Sequence, residues 1–278
     1  MPAAFRGMFA MASLIRLSTF TVLVVLFCTG AALAEVRTES VEYEVDGEPF
    51  VGYLAYDDAV EGERPGVLVV HEWWGLDDYA RRRAEELAEL GYTAFALNMY
   101  GKGKLAEHPE DAQAFMQATL GDRRAMEARF AAGLSILQAH ATTDPERIAA
   151  QGYCFGGAVV LNMARLGLDL DGVVSFHGSL GSDIEAEPGS VEAKVLAFTG
   201  GADPFVPAEQ VAGFVEEMQT AQAELRLVSY PGVQHSFTVP DADETGAKFD
   251  LPMAYDRRAD RHSWRTTAAF YREIFTGD

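Results

Sequence analysis

Apolar positions fall in two rhythms along this chain. Over residues 41–56 they alternate singly with polar ones on either side of Asp46-Gly47. That is the pattern of two half-exposed strands joined by a tight turn. From residue 66 onward the rhythm changes. Short apolar runs at 66–71, 93–97, 147–151, 173–176, 195–199 and 225–230 have the length of strands buried on both faces. Between and after them, residues 77–90, 109–119, 122–140, 155–166, 207–219 and 255–275 carry helical spacing. The first of these helices runs into Gly91, a residue suited to a helix C-terminus. Strands alternating with helices after an opening hairpin predict an α/β fold, a mainly parallel sheet covered on both faces. In such sheets the functional side chains sit in loops at the carboxyl ends of strands.

The first 34 residues follow neither rhythm. Arg6 and Arg16 are their only charges, residues 17–33 are mostly apolar, and Ala32-Leu33-Ala34 precedes Glu35. A basic start, an apolar middle and a small-x-small end predict a secretory signal peptide over 1–34. An uncleaved anchor is the competing reading, although the apolar run is near the lower limit for spanning a bilayer. Cleavage leaves residues 35–278 as a single domain, exported to the periplasm or the medium and free of the membrane. Cys28 departs with the leader, so Cys154 is the one remaining cysteine and no internal disulfide can form.

With 42 acidic and 22 basic residues the net charge is −20, and loss of the two leader arginines makes it more negative still. Such a surface repels nucleic acid and anionic lipid. At 49% hydrophobic residues, the chain can nonetheless build a core without disulfides.

Three loops after predicted strands carry candidate chemistry. Gly152-Tyr153-Cys154-Phe155-Gly156 lies between a strand and a helix, as in the G-x-nucleophile-x-G elbow, with cysteine in place of serine. The glycines permit a turn too tight for side chains, and the helix N-terminus favours an anion there. A buried cysteine in an ordinary strand–glycine–helix turn would read the same way. Asp203, in Gly200-Gly201-Ala202-Asp203-Pro204, follows the strand at 195–199 and can fix a histidine tautomer. His235, in Gly232-Val233-Gln234-His235-Ser236-Phe237, follows the strand at 225–230. The order nucleophile, acid, base is that of α/β-hydrolases. Taken singly, an Asp-Pro turn and a surface histidine are commonplace; the agreement of three placements is what carries weight. His71-Glu72-Trp73-Trp74-Gly75 ends the first buried strand, and the N–H groups of Trp73 and Phe155 are candidates for an oxyanion hole. Zinc is not expected, because the fourth residue after His71 is Gly75 rather than a second histidine. No cofactor is implied.

These motifs together resemble the dienelactone hydrolase family, over about residues 43–275. The resemblance implies an α/β-hydrolase fold and a carboxylic ester or lactone hydrolase. By resemblance, Cys154 is the nucleophile, His235 its base, Asp203 the orienter of His235, and Glu72 a partner of the resting thiol. One departure stands out. The family's substrate carboxylate is held by arginines, one of them four residues after the catalytic histidine, and that position here is Val239. Arg123 and Arg124 are the only arginines near the other position. An uncharged ester or lactone therefore fits better than an anionic one, in a pocket to which Trp74, Tyr100, His177 and Phe237 are candidates along with Trp73 and Phe155. Two other classes compete: a non-catalytic small-molecule binding protein on a hydrolase scaffold, and a thiol redox protein, the latter without a second cysteine in a C-x-x-C pair. An ester panel separates the first from an enzyme, and reversible thiol cycling without ester cleavage would favour the second.

Overall fold

The computed structural model describes residues 1–3 and 35–277, so the predicted leader lies outside the described residues apart from its first three. The chain opens with the hairpin β1 (Val36–Val45) and β2 (Glu48–Asp57). Asp46 and Gly47 both have positive φ, 52° and 83°, as a two-residue hairpin turn of the I′ type requires. Then come β3 (Arg64–Val70), α1 (Asp78–Glu89), β4 (Thr93–Leu97), α2 (Pro109–Leu120), α3 (Arg123–Ala139) and β5 (Thr143–Tyr153). The remainder is α4 (Phe155–Arg165), β6 (Gly172–Phe176), β7 (Lys194–Gly200), α5 (Ala208–Thr220), β8 (Leu225–Tyr230), α6 (Ala242–Phe249) and α7 (Arg257–Thr276).

The strands form one eight-stranded sheet in the order β1-β2-β4-β3-β5-β6-β7-β8. Among the described residues only the β1–β2 and β2–β4 pairings are antiparallel. The sheet is therefore the mainly parallel one that the apolar runs predict. Alternation along each strand splits the core into two layers. Leu68 and Val70 share one layer with Met126, Phe130, Val159 and Phe214 of α3, α4 and α5. Val67 and Val69 face Tyr79, Ala84, Phe270 and Tyr271 of α1 and α7. The runs read as unbroken because both faces of each strand are covered.

Three elements differ from the sequence reading. β5 begins at Thr143, carrying Asp144-Pro145 inside the strand through a register shift opposite Pro65/Gly66. A proline survives there because the ladder is already broken. α6 was not foreseen: it is short, polar and buries only Ala242 and Gly246, so it has almost no apolar stripe. α7 starts at Arg257, where the Asp256 carboxylate caps the N–H groups of Arg258 and Ala259.

Candidate active site

Parallel strands β3, β5 and β7, together with the loop after β8, bring the candidate residues to one end of the sheet. Cys154 sits alone between β5 and α4, at φ 52° and ψ −114°. The tightness of this turn explains its glycines. A Cβ on Gly152 would run into the carbonyl of Gly156, and one on Gly156 into the carbonyl of Val70. The N–H of Cys154 is shared between the Phe176 carbonyl at 3.0 Å and His177 Nδ1 at 3.2 Å. The N–H of Phe155, first in α4, has no intrahelical acceptor. Nor does the N–H of Trp73 donate to a backbone carbonyl among the described residues.

His235 and Asp203 are both buried. His235 Nδ1 lies 2.7 Å from Asp203 Oδ2, while Asp203 Oδ1 accepts the N–H of Phe205 at 2.8 Å. The loop carrying His235 is tied down by the N–H of Ala254, which donates to the His235 carbonyl at 3.1 Å. Burial alone would lower this imidazole. The charge of nearby Cys154, with the bond and charge of Asp203, outweighs burial and holds the ring well above its ordinary value. Cys154 and His235 thus line one cavity, and Asp203 is bonded to His235 behind it.

Glu72 stands beside it, almost fully buried. Its Oε1 accepts the hydroxyl of Ser236 at 2.9 Å. Burial, reinforced by Asp77, pushes this carboxyl up to about 7, against the pull of His235 and the Ser236 bond. His71 is structural: its Nδ1 donates to the Glu72 carbonyl at 2.5 Å and its Nε2 accepts the N–H of Met99. This ties the end of β3 to the segment after β4.

The sulfur opens into a cavity of about 210 Å³. Trp73, Met116, Leu120, Phe155, Phe205, Leu251 and Met253 line it, with Cys154, Ser179, His235 and Ser236 supplying the polar edge. No Lys, Arg, Asp or Glu side chain is among the lining residues. Of the predicted pocket, Trp73 and Phe155 do line it, whereas Trp74, Tyr100, His177 and Phe237 do not. Trp74 borders a second cavity, along with Glu72 and Val239. Tyr100 is buried, its hydroxyl donating to the Trp73 carbonyl at 3.1 Å. His177 and Phe237 are wholly enclosed in the core. Arg123 and Arg124 are exposed on α3, away from the lining. Sequence reasoning missed Met116 and Leu120 on α2, Phe205 and Ser236 beside the acid and the base, and Leu251 and Met253 after α6. Phe205 and Ser236 had a signal in adjacency to the motif; the others come from segments whose placement over the sulfur no local pattern encodes. Among the described residues no group of three His, Cys, Asp or Glu is placed to hold a metal ion. None of the helices described is long and apolar enough to cross a membrane.

Known proteins are similar to this chain in both fold and sequence. A dienelactone hydrolase-like promiscuous phosphotriesterase from metagenomic libraries matches with a TM-score of 0.81 and 32% identity, over 86% of this chain and 99% of its own. Protein usf of Aquifex pyrophilus is 27% identical over 243 residues, covering 86% of this chain and 99% of that protein. A Bradyrhizobium protein described as a probable 2-oxo-3-(5-oxofuran-2-ylidene)propanoate lactonase is 27% identical over 252 residues, covering 87% and 96%. Residues 50–275 match the sequence profile of the dienelactone hydrolase family. With the α/β-hydrolase sheet and the strand-end loops already in place, the chain belongs to the dienelactone hydrolase family.

Proposed function

We propose that residues 35–278 act as an exported, single-domain hydrolase that cleaves small uncharged carboxylic esters or lactones through a Cys154–His235–Asp203 triad. One observation carries the reading: the sulfur and imidazole share the wall of an otherwise apolar cavity that no Lys, Arg, Asp or Glu among the described residues lines. An anionic substrate would find no Lys or Arg there to hold its charge, only the imidazole that serves the sulfur, inside a protein of net charge −20. The leader pattern supports export; a mature N-terminus at Glu35 in secreted protein is the check.

The chemistry is acyl transfer in two halves. His235 holds the thiol proton, and the Cys154 thiolate attacks the carbonyl carbon. The oxyanion accepts hydrogen bonds from the N–H groups of Phe155 and Trp73. As the carbon–oxygen bond breaks, His235 gives its proton to the departing alkoxide, leaving a thioester on Cys154. Water then attacks that thioester while His235 takes a proton from it, and the acid and the thiolate separate. Asp203 keeps Nδ1 of His235 engaged, so that Nε2 serves the sulfur. Glu72 is a reserve acceptor for the thiol proton in the resting site.

The test is an ester and lactone panel read by mass spectrometry. Acyl groups should accumulate on the peptide containing Cys154, and Cys154→Ala should lose both the adduct and turnover with its fold intact. Unchanged turnover in that variant would sink the mechanism. A neutral phosphotriester belongs in the panel as a second electrophile, because the same uncharged cavity suits it and a relative at 32% identity is described as a promiscuous phosphotriesterase.

A further inference from the structure

His177 follows β6 at the heart of the protein, yet it does not line the cavity and takes no part in the acyl transfer described above. Its side chain is completely buried, and its backbone takes a positive φ of 41°. A backbone N–H can only donate, so the 3.2 Å contact with the N–H of Cys154 requires a lone pair on His177 Nδ1. The ring proton is then on Nε2, which faces Thr238 Oγ1 at 2.7 Å. Thr238 is in turn 2.6 Å from the Tyr79 hydroxyl, and that hydroxyl accepts from Arg83 Nε at 3.2 Å. Arg83 is anchored by Asp260 and Glu86. A polar chain thus runs from α7 and α1 through the core to the backbone of the nucleophile.

We propose that His177 is a positioning residue: a neutral imidazole, braced from behind by Thr238, Tyr79 and Arg83, that holds the Cys154 elbow so its sulfur is presented to the cavity. Neutrality is essential to this role. A proton on Nδ1 would set two donors against each other at the Cys154 N–H. It would also place a second cation beside His235, whose ring centroid is 5.2 Å away. Every group packed on His177 agrees with a neutral ring except one: His235 and Arg83 are cationic or cation-forming, Cys154 and Thr238 bond it as described, and Tyr153 and Phe237 are aromatic neighbours. The exception is the Glu72 carboxylate, 3.9 Å from Nδ1. At that separation, and with Nδ1 committed to the backbone N–H, it makes no ion pair. Burial and the two cations hold the ring well below its ordinary value, in keeping with this geometry.

The inference rests on Cys154 as the nucleophile, so its test uses a readout independent of ester turnover: the rate at which iodoacetamide alkylates Cys154, located by peptide mass. His177→Leu removes one of the two acceptors of the Cys154 N–H. His177→Asn restores one at the Nδ1 position and tolerates the positive φ. The Cys154 N–H keeps its Phe176 acceptor in His177→Leu, so losing the His177 share of that bond predicts alkylation and kcat slower by up to about tenfold, with KM nearly unchanged. His177→Asn should recover most of both. Wild-type alkylation in His177→Leu, or an Asn variant as slow as the Leu variant, would overturn the proposal. Should His177→Leu fail to fold, Thr238→Val decides, since it loosens the brace and leaves the ring in place: slowed alkylation supports positioning and an unchanged rate refutes it. If Cys154→Ala keeps its turnover while these alkylation rates still shift, the nucleophile reading has failed and the positioning has not.

Discussion

Two imidazoles stand 5.2 Å apart where the sheet meets the cavity, and their surroundings drive them in opposite directions. His235 has a carboxylate at one nitrogen and the sulfur of Cys154 near the ring, so it is held well above its ordinary value. His177, equally buried, has a backbone N–H at one nitrogen and a hydroxyl at the other, and it is held well below. Burial pulls both down. The difference comes from what each ring is paired with: an anionic partner pays for a buried charge, and a neutral donor does not. The region in front of the elbow is thus built to carry and move a proton, and the region behind it to stay fixed.

The largest expected effect removes the anion from the front. In Asp203→Asn the contact at Nδ1 persists, but the amide can hold the ring in the wrong tautomer. By analogy with serine triads kcat should fall by about 10^4. Steady-state kinetics at a fixed pH measure it. A loss of less than tenfold would mean that His235 does not need its carboxylate, and the contrast between the two rings would lose its basis.

The region behind the elbow should respond in stability. Arg83 is buried, with only 6% of its side chain exposed, between Asp260 and Glu86 and against the rings of Tyr79, Tyr153 and Trp264. Arg83→Met keeps length and apolar packing but leaves Asp260 without its cation and Glu86 with only the longer contact to Arg82, at 3.9 Å. Breaking such a pair costs about 3–5 kcal/mol, discounted here because Glu86 and Asp260 are partly wet. Denaturant unfolding should show a loss of about 3 kcal/mol with a much smaller drop in kcat than Asp203→Asn gives. Equal damage to catalysis and stability would mean that the two regions are one.

The contrast also marks what could be read from the chain alone. The sheet, the hairpin turn at Asp46-Gly47 and the elbow were legible because each is a local pattern: an unbroken apolar run, a pair of positive-φ residues, two glycines around a nucleophile. Cys154, Asp203 and His235 could be aligned because each follows a strand of a parallel sheet, whose carboxyl ends converge. His177 also follows a strand, and for that reason it was placed in the pocket; nothing nearby in sequence reveals that its partners are Thr238, 61 residues on, and the N–H of Cys154. The cavity wall was illegible for a similar reason. Met116, Leu251 and Met253 look like ordinary apolar residues until α2 and the segment after α6 fold over the sulfur.

The smallest expected effect lies between the two regions, at Glu72, and it is visible only as a slope against pH. Its carboxyl is raised to about 7 in the native protein against 4.5 ordinarily, so from pH 4.5 to 7 the native state binds more proton than the unfolded chain. Stability from this group is therefore full below that window and is lost as pH rises through it. His177 and His71 act with the opposite sign. Both are lowered by burial, His71 to about 4, so below pH 6.5 the unfolded chain takes up protons that the native rings refuse. Their contribution is lost as pH falls. Over the shared window the slopes oppose, and the wild-type profile should look flatter than any of its parts. Glu72→Gln keeps the shape and an acceptor for the Ser236 hydroxyl but removes the carboxylate, and with it this group's share of the slope. Chemical unfolding at successive pH values should show the stability of wild type relative to Glu72→Gln declining from pH 5 to pH 7. A constant difference would mean that Glu72 titrates no differently in the native and unfolded states, and that the boundary between the mobile proton in front and the fixed ring behind is not drawn by this carboxyl.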